Sequence, residues 1–101
     1  MGLVNVFEAA ADLPAAWESR LLGRVGTAGV KVLRMDGRPV PDEAHDATEL
    51  LFVIDGRLEL TVADAEVTVG PGEMYRVAAG TRHAVRPGSA GTLVIVEVAG
   101  E

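Results

Sequence analysis

Residues 37–56 read Gly37-Arg38-Pro39-Val40-Pro41-Asp42-Glu43-Ala44-His45-Asp46-Ala47-Thr48-Glu49-Leu50-Leu51-Phe52-Val53-Ile54-Asp55-Gly56. A carboxylate-rich segment holding one of the chain's two histidines runs directly into five consecutive apolar residues, and glycine closes the stretch at both ends. A short apolar run bounded by turn residues reads as a buried strand. The second histidine, His83, lies further on beside its own glycine, Gly80. Imidazoles placed next to carboxylates form a donor set that a metal ion can share.

Outward from that stretch the same grammar repeats. From Gly29 onward, short β-like runs cover residues 30–35, 49–54, 57–62, 66–69, 74–77, 83–85 and 92–98. They are separated by Asp36-Gly37, Asp55-Gly56, Ala63-Asp64-Ala65, Gly70-Pro71-Gly72, Ala79-Gly80 and Pro87-Gly88, all turn-forming combinations. Seven strands at close spacing with no helix between them describe an antiparallel sandwich or barrel, an all-β domain. Residues 7–22 are Ala-rich, with Asp12 placed to cap a turn and Pro14 to sit in the first turn of a short helix. The expected organisation is a single domain: an N-terminal helical arm, residues 1–28, packing on a barrel formed by residues 29–101. Trp17 and Leu21, four apart, would share the helix face that meets the barrel.

Leu50-Leu51-Phe52-Val53-Ile54 and Leu93-Val94-Ile95-Val96 are apolar on both faces instead of alternating. Such strands need cover on each side, from the opposite sheet, the arm or a second subunit, so a homodimer is expected. Phe52 and Met74 are expected in the core.

The composition narrows the partners. The chain has 101 residues, a net charge of −6 and no cysteine. Without a basic stripe to neutralise phosphates, nucleic acid and anionic membranes are not expected, and small molecules or proteins are. Without thiols, any metal must be held by imidazole and carboxylate. No basic segment with an apolar run follows the first residue, and no run of about 18 apolar residues exists to span a bilayer, so a cytoplasmic protein is expected.

The ligand candidates have a regular spacing. Gly37 is followed after five residues by Glu43-Ala44-His45, then after three by Glu49 and after six by Gly56. Gly72 is followed after five residues by Ala78-Ala79-Gly80, then after two by His83 and after three by Pro87. These two segments resemble the paired motifs of the cupin family, small jelly-roll barrels of the double-stranded β-helix type. Glu43 stands where the first motif has its first histidine, Ala78 where the second has proline and Pro87 where it has asparagine. The 15 residues between the motifs, 57–71, are close to the shortest spacer of the family.

The resemblance implies a divalent ion, iron, manganese, nickel, zinc or copper, held by Glu43, His45, Glu49 and His83. Even spacing along a strand supports it, since residues 43, 45 and 49 would point to one face. A four-residue interval before Glu49 would instead put the pair on Asp42 and Ala44; the three-residue interval keeps His45 and the Gly37 spacing together. A lone histidine at a loop is ordinarily a hydrogen-bonded polar residue. The shared spacing favours a ligand role for His45, Glu49 and His83, while Glu43 stands evenly between ligand and solvated loop residue.

Further candidates line up by parity. Arg34 shares parity with Val30 and Val32 and is expected either to point inward, binding an anionic substrate group, or to lie on the surface. Of Tyr75 and Arg76, alternation allows only one to face the barrel. The expected function is a divalent-metal site in the barrel that acts on or binds a small molecule, with no reaction legible; as an enzyme, the resemblance implies a metal-dependent oxygenase, isomerase or lyase. The alternative is a non-catalytic, ligand-binding or dimerising barrel, metal-free in its vestigial form. The four-ligand set with Glu43 is richer in charge than a three-histidine set and favours harder ions such as Mn(II) or Fe(II).

Overall fold

The computed structural model describes residues 2–98; Met1 and residues 99–101, the end of the expected barrel segment, lie outside the described residues. The chain begins with a short helix, α1 (Val6–Ala11), and continues as eight strands: β1 (Arg20–Val25), β2 (Ala28–Asp36), β3 (Val40–Glu43), β4 (Glu49–Val62), β5 (Ala65–Val69), β6 (Met74–Val77), β7 (His83–Val85) and β8 (Ala90–Val98). All pairings are antiparallel. One sheet runs β1-β2-β8-β4-β6 and the other β3-β7-β4-β5, a jelly-roll whose barrel is not closed. Among the described residues no helix is long and apolar enough to cross a membrane.

β4 belongs to both sheets, and the turn signal Asp55-Gly56 does not end it. Residues 49–57 pair with β8 and β6 in the first sheet, and residues 58–62 pair with β5 and β7 in the second. A bulge between Val53 and Asp55, just ahead of the change of sheet, switches the buried parity from Glu49, Leu51 and Val53 to Leu58, Leu60 and Val62. Gly56 and Gly91 face each other across this bend, both with positive φ. A Cβ on either would overlap the opposing backbone, so the crossing demands two glycines.

The hairpin between β4 and β5 turns on only two residues. Ala63 and Asp64 both adopt positive φ, 46° and 72°, the signature of a type I′ turn. Neither is the glycine or asparagine that such turns favour.

The core lies between the sheets, where Leu33, Met35, Leu51, Val53, Leu58 and Leu60 are buried together. A smaller cluster lies on the outer face of the first sheet, where Ala10 of α1 covers Val32 and Val94. The arm therefore supplies one of the covers that the doubly apolar strands required. It does not have the expected form, because the helix spans Val6–Ala11, with Asn5 as its N-cap and Asp12 at its C-terminal end. Asp12 thus stops a helix instead of starting one, and Pro14 follows it. Trp17 and Leu21 share no helix face: Trp17 has φ 68° and Leu21 lies on β1.

Phe52 and Met74 are not core residues. They are cross-strand partners on the outer face of β4 and β6 and are 37% and 53% exposed.

Candidate metal centre

Four side chains converge at one end of the barrel. Glu43 closes β3 and is the direct antiparallel partner of His83, the first residue of β7. Glu49 opens β4, and His45 sits in the loop between β3 and β4. Strand parity therefore does not place all of them, as His45 is carried by a loop. The loop is fixed by a backbone bond from Gly80 N to His45 O, 2.7 Å. Gly80 thus ties the second histidine segment to the first.

The Nε2 atom of His83 lies 3.0 Å from Glu49 Oε1 and 3.7 Å from Glu43 Oε1. That of His45 lies 3.4 Å from Glu43 Oε1 and 3.9 Å from Glu49 Oε1. Donor atoms of Glu43, His45 and His83 all fall within 4.8 Å of one another. Ligands about 2.1 Å from a shared ion are roughly 3.0 Å apart at octahedral and roughly 3.4 Å apart at tetrahedral angles, so the cluster is close to ligating dimensions. Asp42, the ligand of the alternative register, points elsewhere and pairs with Arg82 Nη2 at 3.0 Å.

The protonation of the ring is dictated by its neighbour. His83 Nδ1 lies 3.0 Å from Thr81 O, a carbonyl that can only accept, so Nδ1 carries the proton. The other ring nitrogen, Nε2, is buried and without a hydrogen-bond partner, and points toward Glu49 Oε1. A buried ring nitrogen and a carboxylate oxygen at this distance need a cation between them, either a proton on the ring or the carboxyl or a metal ion. The donor set, two imidazoles and two carboxylates, fits a divalent ion.

Burial is also the main influence on Glu49. It pushes the carboxyl above its ordinary value, His45 and His83 oppose the shift, and the nearby charges of Glu97 and Glu43 reinforce it. The Glu49 carboxyl therefore holds its proton more strongly than a solvated glutamate does.

The cluster forms the polar end of a cavity of about 230 Å³. Inward residues along β8 run Glu97, Ile95, Leu93, and along β4 Glu49, Leu51, so charge gives way to apolar wall within a few residues. Glu97 was invisible in the sequence because its parity became informative only once Leu93 and Ile95 were known to face inward. It accepts from Lys31 Nζ at 3.3 Å. Trp17 also reaches the cavity wall, although it comes from the arm. Its backbone N–H donates to Arg34 O and its indole Nε1 to Asp36 Oδ1 at 2.7 Å, a bond that is the main cause of the lowered Asp36 pKa.

The three substrate-binding candidates are not gathered at this cavity. Arg34 does share parity with Val30 and Val32, but that face is the outer one; its guanidinium donates to Ala10 O and Leu13 O and latches the arm. Tyr75 pairs with Leu51 and packs against the core without lining the cavity. Arg76 pairs with Leu50 on the outer face and is exposed.

Comparison with known proteins places these features. The family profile for the cupin domain matches residues 31–99. A cupin-2 domain containing protein from Shewanella frigidimarina superposes with a TM-score of 0.88 at 21% identity, covering 96% of this chain and 95% of that one. Protein NMB1881 from Neisseria meningitidis superposes with a TM-score of 0.82 at 21% identity, covering 96% and 99%. The EutQ protein of Clostridium difficile gives 0.71 at 18% identity, covering 94% and 80%. No curated protein matches the sequence.

Proposed function

Because the chain belongs to the cupin domain family, we propose that it holds a divalent metal ion at Glu43, His45, Glu49 and His83 and presents it to a small molecule in the barrel. The observation that carries this reading is the convergence of donor atoms of Glu43, His45 and His83 within 4.8 Å of one another, with the buried, unpartnered His83 Nε2 3.0 Å from Glu49 Oε1. The carboxylate-rich set favours Mn(II) or Fe(II) over softer preferences, within a choice that includes nickel, zinc and copper. Bound there, the ion supplies Lewis-acid or electron-transfer chemistry to a coordinated molecule.

The chain's own residues do the rest. Thr81 O orients His83, and the Gly80 bond holds the loop that carries His45. Glu97, held by Lys31 on the cavity wall outside the four-residue cluster, is placed to accept a proton from a bound molecule. This role fits an oxygenase, isomerase or lyase. One observation favours the second reading, a non-catalytic module that stores or senses a ligand: no lysine or arginine lines the cavity among the described residues, so no permanently charged cation is available there.

The exposed Phe52–Met74 pair supports a homodimer through the outer face of the first sheet. Light scattering that finds only monomer at high concentration rejects that interface.

Elemental analysis of untagged protein tests the metal. Near-stoichiometric metal that is lost in His45→Ala and His83→Ala supports the reading. A metal-free protein that gains no stability on addition of Mn(II), Fe(II) or Zn(II) rejects it.

A further inference from the structure

We infer that the molecule admitted to the barrel is small and amphiphilic, with an oxygen-bearing end at the Glu43–His45–Glu49–His83 cluster and an uncharged apolar body among the leucines. This deepens the metal reading and rests on it for the polar end alone.

Three observations converge on it. The cavity is divided by character along its length, because inward residues pass from Glu97 and Glu49 to Ile95 and Leu51 and then to Leu93. On the opposite sheet, His83 is followed inward by Val85, and Leu60 and Leu58 complete the wall. An extended body bearing hydroxyls would lose its hydration there without finding partners.

The charge is one-sided. Every ionisable side chain on the cavity wall is a glutamate or a histidine of the cluster, and the nearest lysine, Lys31, is already engaged by Glu97. A phosphate or a second carboxylate at the apolar end would meet no cation and would be repelled at the mouth by Glu97. Sugar phosphates and polycarboxylates are thereby disfavoured.

Size sets the last limit. About 230 Å³ lies below the roughly 300–1,000 Å³ typical of drug-sized sites, so the body is a short chain or a single small ring. Among the described residues, Trp17 is the one aromatic residue on the wall besides the two histidines.

Hydroxamates, which chelate divalent ions through two oxygens, allow the two ends to be tested separately. Mn(II)- or Zn(II)-loaded protein would be titrated calorimetrically with acetohydroxamate, butanohydroxamate and hexanohydroxamate, alongside gluconohydroxamate and inorganic phosphate. Affinity should rise roughly three- to four-fold for each added methylene until the cavity is filled. Gluconohydroxamate should bind no tighter than acetohydroxamate, and phosphate more weakly than either.

Acetohydroxamate binding with no gain along the series overturns the inference while leaving the metal site standing. Tighter binding of gluconohydroxamate or phosphate than of hexanohydroxamate overturns it as well. The same chain-length gain in protein that takes up no metal rejects the metal reading and upholds the apolar selection. Failure of every probe in metal-loaded protein overturns the inference.

Discussion

Replacing Glu49 with glutamine should stabilise the metal-free protein and shrink the stability gained from metal. In the wild type, His83 Nε2 and Glu49 Oε1 face each other at 3.0 Å, both residues almost wholly buried. With Nδ1 committed to Thr81 O, the metal-free pair is satisfied only by a proton. The Glu49 carboxyl is raised above its reference value of 4.5, so the folded state binds that proton more tightly than the unfolded chain does. Its contribution is complete below about that value and is lost as pH rises through the raised folded one. At pH 8 in a chelator, the wild type is left with an unsatisfied buried acceptor pair, which costs about 1–3 kcal/mol. In the Glu49→Gln variant the side-chain amide donates directly to His83 Nε2 and removes that cost. Thermal melts at pH 8 in EDTA should therefore place Glu49→Gln above the wild type by about 4 °C or more. At about pH 4.5 the difference should vanish, because the carboxyl then carries its own proton. Metal at about one hundred times its dissociation constant should stabilise the wild type by about 2.7 kcal/mol and the variant by much less. Two results would refute the reasoning: a variant less stable than the wild type in EDTA at pH 8, or equal metal-induced shifts in the two proteins.

Three other perturbations test the frame around the site. Gly56→Ala or Gly91→Ala places a Cβ into opposing backbone at positive φ and should cost about 3 kcal/mol or more, read as a lower urea midpoint; an unchanged midpoint contradicts the crossing geometry. The double change Ala63→Asn with Asp64→Gly suits the type I′ turn and should add about 1 kcal/mol in the same assay, whereas a loss of stability means the turn has another form. Arg34→Ala removes the donors to Ala10 O and Leu13 O, so amide exchange across α1 should accelerate by about ten-fold or more with little change in the second sheet. Uniform acceleration throughout the chain is inconsistent with a local latch.

The strands of the second half were legible because their turn signals are strong: Gly70-Pro71-Gly72, Ala79-Gly80 and Pro87-Gly88 each separate strands where expected. The glycine and ligand spacing likewise picked out Glu43, His45, Glu49 and His83, which the fold brings to one place. What was hidden had physical reasons. β3 carries Pro41 and two carboxylates, a composition tolerated at a sheet edge but unlike a strand in isolation. β1 is bulged between Leu21 and Gly23 and mostly exposed, so it shows no alternation. β4 was divided at Asp55-Gly56 because a glycine that bends a strand between two sheets has the same local signature as one that ends it. Arg34 was given the right parity but no single face, since β2 is covered on both sides and its two apolar faces look alike. Phe52 fell to the same ambiguity on β4, and Glu97 and Trp17 needed the tertiary arrangement to become cavity residues.

The Gly80–His45 bond has a consequence for the order in which the molecule is assembled. The cluster residues lie on segments far apart in the chain, and they meet only through the β3–β7 pairing and that loop tether. Closing such distant segments is the slow part of folding in β proteins. A nascent chain that has not yet docked β7 owns one histidine of the pair and no pocket. A metal ion held as proposed would therefore find its four donors together only after the β3–β7 pairing has formed, so it would act on the folded barrel and not on its folding.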